Sequence, residues 1–148
     1  MKIKLFVLFA MLAAVVVFSS CAATQNIIIN VNMTCEEFQY KSSELGNEFE
    51  INIGDEIRAK MCINATSGYS WDYKIDNQDV MEFVSHDTIQ PDPNGDLADA
   101  PGVDIWLYKA VGPGDAVINM AYTKPTANGT DTKYTYTLDI TVLDNQNQ

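Results

Sequence analysis

The sequence predicts an all-β protein, an antiparallel β-sandwich of about seven short strands. In several separate segments apolar residues alternate with polar ones, and a period of two is typical of strands with one buried face. Clusters of Gly, Pro, Asn and Asp separate most of these segments and indicate turns. No segment keeps the sustained apolar period of an amphipathic helix. Short strands joined by turns favour a sandwich, which gathers its loops at two ends.

The alternation predicts where each strand lies. In the first regular strand Phe49, Ile51 and Ile53 alternate with Glu50 and Asn52. The clearest amphipathic strand is the last, where apolar or aromatic residues alternate with Thr and Asp. A β-branched run at 26–32 precedes the regular pattern. The predicted strands are 47–53, 57–63, 71–75, 80–89, 105–110, 116–122 and 134–142.

A turn at Gly54 and Asp55 joins the first two of these strands, and four further loops lie between other neighbouring strands, where binding residues are expected. Four large aromatic residues fall on inward phases of the strands, which predicts that they belong to the core: Trp71, Trp106, Tyr108 and Tyr122. The predicted loops are the turn 64–68, the Pro- and Gly-rich loop 90–102, the tight turn 111–114 and the loop 123–130.

The first twenty residues have the pattern of a secretory signal peptide. Lys2 and Lys4 give a basic start, residues 5–18 are almost wholly apolar, and small residues follow. The alternative is a retained membrane-spanning helix, but the apolar run is shorter than the roughly 20 residues that a span needs. We therefore expect residues 1–20 to be removed during export.

Cys21 stands where a lipoprotein signal places its lipidated cysteine. Lipidation there would anchor the protein on the outer face of the cell membrane, although a single acyl chain binds weakly. The alternative is cleavage near Ala23, which would release a secreted protein. We expect an exported chain with an N-terminal extension at 21–46, a sandwich domain at 47–143 and a polar tail at 144–148.

The charge of the chain excludes one class of partner. Nine basic residues stand against twenty acidic ones, a net charge of −11. Loss of Lys2 and Lys4 with the signal peptide leaves seven against twenty, a net charge of −13. Because so acidic a protein repels phosphates, binding to nucleic acid is excluded. The acidity favours cationic partners and keeps an exported protein soluble.

Two cysteines, Cys35 and Cys62, remain after removal of the signal peptide and Cys21. Thiols of exported proteins tend to pair, and we expect a disulfide between these two, with two free buried thiols as the alternative. Structural zinc needs four Cys or His ligands, whereas two Cys and one His are left. No metal or other cofactor is therefore expected.

No catalytic set is recognisable in the sequence. The single histidine, His86, lies on a predicted strand beside Asp87, a setting typical of a surface residue. No serine lies in a Gly-x-Ser-x-Gly nucleophile elbow. The spacing of four acidic residues near the long loop differs from that of an EF-hand, which favours a solvated acidic loop over a weak calcium site: Asp92, Asp96, Asp99 and Asp104. We expect a binding protein and not an enzyme.

Three motifs follow one another along the predicted strands. Residues 64–71 read Asn-Ala-Thr-Ser-Gly-Tyr-Ser-Trp, residues 100–114 run from Ala-Pro-Gly-Val through a strand to Ala-Val-Gly-Pro-Gly, and residues 122–125 read Tyr-Thr-Lys-Pro. In this order they resemble the Asn-Pro-Thr-Thr-Gly-aromatic-x-Trp loop, the Gly-rich loop with its strand and turn, and the Arg-Pro-Trp loop of the chagasin family of cysteine-peptidase inhibitors. The resemblance covers residues 47–143.

The resemblance implies an immunoglobulin-like β-sandwich that inhibits papain-like cysteine peptidases reversibly and noncovalently, as a monomer. Three loops at one end would occlude the active-site cleft, with Thr66 nearest the catalytic cysteine of the peptidase. The first loop would enter the cleft and the other two would hold its sides. By position, the contact residues would be Asn64, Thr66, Ser67, Gly68 and Tyr69 in the first loop, Asp99, Pro101 and Gly102 in the second, and Lys124, Pro125 and Thr126 in the third.

Four positions depart from the family pattern. Ala65 replaces a proline, which removes roughly 0.5–1 kcal/mol of loop stiffening. Asp99 and Pro101 replace glycines, and Thr126 replaces a tryptophan of the kind that often forms a binding hot spot. The lost tryptophan and the changes in the second loop favour the alternative of a non-inhibitory surface adhesion or structural immunoglobulin-like domain, whereas the retained Thr66 and Gly68 favour inhibition.

Three Asn-x-Thr sequons, at Asn32, Asn64 and Asn128, are potential glycosylation sites. Each alternatively reflects the abundance of Asn and Thr in a β protein. A glycan on Asn64 would block docking of the first loop into a cleft.

Overall fold

A computed structural model describes residues 25–34, 44–90 and 101–144. These residues form eight strands, and no helix able to cross a membrane occurs among them. The strands are β1 (Ile28–Met33), β2 (Glu44–Asn52), β3 (Glu56–Ile63), β4 (Ser70–Ile75), β5 (Met81–Ile89), β6 (Gly102–Ala110), β7 (Gly114–Thr126) and β8 (Gly129–Leu143).

The strands form two four-stranded sheets, one in the order β1-β3-β6-β5 and the other in the order β2-β8-β7-β4. The all-β sandwich predicted from the sequence is confirmed. It is not wholly antiparallel, because β1 runs parallel to β3 and β2 runs parallel to β8. Parallel pairing needs a long connection, which β2 of the other sheet supplies between β1 and β3, and the five strands β3 to β7 supply between β2 and β8.

The core lies between the two sheets and is built by the inward phase of each strand. Every second residue of β6 is buried, from Gly102 to Ala110, as the alternation in the sequence predicts. The four aromatic residues assigned to the core are all buried, with Trp71 4%, Trp106 7%, Tyr108 0% and Tyr122 5% exposed. Apolar burial of this kind is the main stabilising term of the fold.

The predicted turn at Gly54 and Asp55 holds the start of β1 in place. Asp55 is only 2% exposed, and its carboxylate accepts hydrogen bonds from the backbone N–H of Ile27 and of Asn52, both at 2.9 Å. The run at 26–32 therefore contributes an edge strand to the sandwich. Besides its pairing with β3, this strand is held at its start by a buried carboxylate that hydrophobic periodicity does not reveal.

Several sequence expectations concern parts of the chain outside the described residues. The signal peptide, Cys21, Cys35 and Asp99 all lie there. Cys62 is disulfide-bonded, and its partner is one of the two cysteines in those parts. Pairing with Cys35 stays a prediction.

Candidate functional site

The strand register brings the described residues of the three predicted binding segments to one end of the sandwich. Ile63, the last residue of β3, pairs with Gly102, the first residue of β6. Ser70, the first residue of β4, pairs with Thr123 on β7. The loop between β3 and β4 therefore lies between the start of β6 and the hairpin of β7 and β8. This end of the molecule is the candidate binding site.

The loop that joins β3 to β4 is held by its own side chains. The carboxamide oxygen Oδ1 of Asn64 accepts hydrogen bonds from the Thr66 N–H at 3.0 Å and from the Thr66 hydroxyl at 2.8 Å. The backbone carbonyl of Asn64 accepts from the Ser67 N–H at 3.2 Å and from its hydroxyl at 2.7 Å. This Asx turn stiffens the loop without the proline that Ala65 replaces.

Gly68 adopts a backbone conformation that few other residues tolerate. Its φ of 73° lies in the left-handed region, where a side chain is strained. A Cβ atom at this position would lie 3.2 Å from both Cε and Nζ of Lys124. The backbone angle therefore favours glycine here, whereas the Lys124 side chain could shift by a few tenths of an ångström to accept a Cβ atom.

The Tyr122 hydroxyl supports the loop from below. It accepts a hydrogen bond from the Asn64 N–H at 3.1 Å and lies 3.1 Å from the Ser67 hydroxyl. The Tyr122 ring packs against the ring of Trp71 at a centroid distance of 5.1 Å, and the Trp71 indole N–H donates to the Cys62 carbonyl at 3.0 Å. The sequence predicted both aromatic residues as core but not this contact with the loop.

The third predicted loop, 123–130, is wrong in its extent. β7 continues to Thr126 and β8 begins at Gly129, so that only residues 127 and 128 form the turn. Pro125 does not terminate β7. At this position the hairpin extends beyond the rest of the sheet, and proline is tolerated there. Pro125 and Thr126 are exposed near the tip, and Lys124 reaches back to donate a hydrogen bond to the Ser67 carbonyl at 3.2 Å.

The second predicted segment is described only at its end. Pro101 is exposed, whereas Gly102 is buried as the first residue of β6. A Cβ atom on Gly102 would lie 3.0 Å from the Ile89 carbonyl oxygen and 3.1 Å from Cγ1 of Ile63. Gly102 therefore lets β6 start close to its neighbours and does not present a side chain to a partner.

Tyr69 links the first loop to β8 through contacts that the sequence did not indicate. Its ring stacks on Tyr122 at 5.4 Å, and its hydroxyl donates a hydrogen bond to the carboxylate of Asp131. This hydrogen bond, assisted by the nearby negative charge, raises the pKa of the Tyr69 phenol. The ammonium groups of Lys124 and Lys133 each lie 5.7 Å from the ring centroid.

His86 lies on edge strand β5, away from the loop that joins β3 to β4. Its ring stacks on Trp106 at 3.8 Å, and its Nε2 lies 3.3 Å from the buried carboxylate of Asp104. The same carboxylate accepts a hydrogen bond from the Thr88 hydroxyl at 2.7 Å. His86 thus packs on the sheet as a partly exposed residue, and among the described residues no group of three His, Cys, Asp or Glu side chains could hold a metal.

Several solved structures share this fold, and one of them is a cysteine protease inhibitor. The cysteine protease inhibitor EhICP2 from Entamoeba histolytica has 18% sequence identity and a TM-score of 0.58, over 79% of this chain and 96% of that chain. PbICP-C, solved in complex with falcipain-2, has 16% identity and a TM-score of 0.53, over 78% and 99%. Amebosin has 16% identity and a TM-score of 0.51, over 80% and 99%. At these identities the similarity establishes the fold alone.

Sequence comparison identifies the family. No curated protein matches the chain significantly. The family model described as chagasin family peptidase inhibitor I42 matches residues 50–140, which is more than half of the sequence and includes the whole β3–β4 loop and the hairpin of β7 and β8. The chain therefore belongs to the chagasin family, whose members are peptidase inhibitors and not enzymes.

Proposed function

We propose that this protein inhibits papain-like cysteine peptidases by a reversible, noncovalent occlusion of the active-site cleft. The observation that carries the proposal is the stiff β3–β4 loop, which projects from the end of the sandwich with Thr66 exposed at its turn. A loop already held in one conformation loses little entropy on docking. The family, the cysteine protease inhibitor EhICP2 and the complex of PbICP-C with falcipain-2, both of the same fold, support this function.

The size of the loop residues suits a narrow cleft. Asn64, Ala65, Thr66 and Gly68 are exposed, and none carries a large side chain. In the proposed complex Thr66 lies nearest the catalytic cysteine, and Ser67 and Tyr69 brace the loop from behind. Because a closed turn does not present a scissile peptide bond in the extended geometry of a substrate, we expect no attack by the catalytic cysteine and a noncovalent complex.

The two flanking segments would hold the sides of the cleft. On the side of β6 the described residue that could contact the peptidase is Pro101, which is exposed next to the start of the strand, and on the other side Lys124, Pro125 and Thr126 would contact it from the hairpin of β7 and β8. The hydrogen bond from Lys124 to the Ser67 carbonyl joins this hairpin to the first loop, so both would dock as one rigid surface. Thr126 offers less apolar area than a tryptophan, which lowers the expected affinity at this contact.

The activity test is a titration of papain with the purified chain from residue 24 onward, using a fluorogenic peptide as substrate. We expect stoichiometric or nanomolar loss of activity that returns on dilution, with the inhibitor uncleaved. Thr66→Arg, which adds bulk at the turn, should abolish inhibition with little change in thermal stability. Asn30→Arg on β1, also exposed, is the matched control and should inhibit like the wild type.

Absence of inhibition at high micromolar concentration, repeated with several papain-like peptidases, would contradict the proposal. That result would support the second candidate, a surface adhesion or structural domain that kept the fold. Thr126 favours this alternative, because the hairpin tip carries no aromatic residue for a partner to bury.

We further propose that the protein acts after export, as a monomer that is either secreted or lipid-anchored through Cys21. The basic, apolar and small-residue order of residues 1–23 supports this. Mass spectrometry of the protein recovered from its own cells should show a chain that begins near residue 21, with a mass increment on Cys21 if it is lipidated. An intact Met1 on the mature protein would refute export through this signal.

A further inference from the structure

A β-bulge in β8 places the ammonium group of Lys133 beside the candidate binding site, to which the sequence motifs do not assign it. On one side of the irregularity Tyr122 pairs with Tyr134, and on the other Thr123 pairs with Thr132. Lys133 is therefore an extra residue in β8 with no Cα partner on β7. Bulges of this kind redirect a side chain and are frequent next to functional sites.

The bulge directs Lys133 toward the first loop. Its ammonium lies 5.7 Å from the ring centroid of Tyr69 and 5.4 Å from that of Tyr134. Tyr134 stacks on Tyr122 at 6.3 Å, and Tyr122 in turn stacks on Tyr69. Cation–π contacts of this kind hold an exposed ammonium near an aromatic surface without neutralising its charge.

The charge around Tyr69 is opposite in sign to the net charge of the whole chain. The ammonium groups of Lys124 and Lys133 both lie over the ring of Tyr69, and the carboxylate that contacts this cluster, that of Asp131, accepts the hydrogen bond of the Tyr69 hydroxyl. The cluster therefore carries one positive charge in excess, in a protein of net charge −11. Within the described residues neither ammonium forms an ion pair. Lys124 lies in register with Asp131, and Lys109 on β6 lies in register between Glu56 and Glu82, whereas Lys133 has no Cα partner on β7.

We propose that Lys133 is a specificity-determining residue that contacts carboxylates on the peptidase beside its cleft and so favours targets with an acidic rim. The inference rests on the proposed function, since it concerns the same docking surface. A cation on an otherwise acidic inhibitor attracts an acidic partner locally while the rest of the surface repels it, which orients the encounter. Charges at the rim of an interface act mainly on the association rate and on its salt dependence.

The test compares Lys133→Glu with Lys74→Glu, an equal reversal of charge at an exposed position in the middle of β4. Association rate constants are measured with two papain-like peptidases, one with an acidic cleft rim and one with a basic rim, at low and high salt. Lys133→Glu should slow association with the acidic peptidase by about threefold or more at low salt, and should speed it with the basic one. Both differences should shrink at high salt.

Equal effects of the two variants on both peptidases would overturn the proposal. A decrease in association rate that does not change with salt concentration would also overturn it. Lys133→Gln, which removes the charge without reversing it, should give an intermediate rate, and thermal melts of all variants check that they fold. If the wild-type chain inhibits neither peptidase, the proposed function itself fails. Inhibition whose association rate does not depend on Lys133 would instead refute only the proposal about Lys133.

Discussion

The Lys124 ammonium donates a hydrogen bond to the Ser67 carbonyl at 3.2 Å, and this joins the β7–β8 hairpin to the β3–β4 loop. The same lysine also occupies the space beside Gly68 and lies over the ring of Tyr69. Two segments that are far apart in the sequence therefore form one surface at the end of the sandwich. Changes in either segment should alter the other.

Gly68→Ala should weaken inhibition and lower stability. The positive φ is expected to cost about 1–2 kcal/mol with any side chain that has a Cβ, and this Cβ would also displace Lys124. Urea unfolding measures the free energy of unfolding, and papain titration measures inhibition. Gly54→Ala is the matched control, because Gly54 has a φ of 95° at the opposite end of β3. Gly54→Ala should destabilise the fold but leave inhibition by the folded fraction unchanged, and equal loss of inhibition in both variants would refute a local role for Gly68.

Tyr122→Phe should loosen the first loop. It removes the hydroxyl that accepts from the Asn64 N–H and contacts Ser67, a loss of about 1 kcal/mol in the free energy of unfolding. Tyr108→Phe is the comparison variant, because the Tyr108 hydroxyl is buried and makes no hydrogen bond within the described residues. That variant should be neutral or slightly stabilising by urea unfolding. A larger loss for Tyr108→Phe than for Tyr122→Phe would contradict the assigned contacts.

Asp131→Asn should lower the pKa of the Tyr69 phenol. In the wild type the hydrogen bond to the Asp131 carboxylate raises this pKa, because ionisation of the phenol would break the bond beside a negative charge. A pKa that is higher in the folded than in the unfolded state adds stability below the unfolded value, and this stability is lost as the pH rises through the folded value. NMR titration of the tyrosine side chains in both proteins measures the shift. An unchanged Tyr69 pKa in the variant would show that the carboxylate is not the cause.

Peptide mapping without reduction should find Cys62 linked to Cys35. Cys62 is disulfide-bonded and buried at the end of β3, next to the first loop. Reduction, or Cys35→Ser, should lower the free energy of unfolding by roughly 2–4 kcal/mol. A Cys21–Cys62 peptide in the map would instead assign the bridge to the first cysteine, and lipidation of Cys21 would then be excluded.

The sequence predicted the strands well because one face of each is buried and alternation records that burial directly. Seven predicted strands correspond to β2 through β8, and the residues of the first loop were recognised from a short ordered motif. The end of the β7–β8 hairpin, residues 123–130, is predicted as a loop because Pro125, Asn128 and Gly129 are typical turn residues, whereas only residues 127 and 128 form the turn.

Other features depend on contacts between distant residues and leave no local pattern. The Tyr122 hydroxyl meets Asn64 across 58 positions of sequence, and Tyr69 meets Asp131 across 62. The parallel pairing of β1 with β3 depends on how the chain crosses between sheets. The alternation of apolar and polar residues does not reveal the bulge at Lys133, because Tyr134 keeps the inward phase of the rest of β8.

Binding of the chain to papain with an open or a filled cleft is the most direct test of occlusion by the first loop. In one sample the catalytic cysteine of papain carries a methylthio group, which leaves the cleft open, and in the other a covalent peptide inhibitor fills the cleft. Calorimetry should detect tight binding of the wild-type chain to the first sample and none to the second. Equal affinity for both would place the contact outside the cleft and contradict the account.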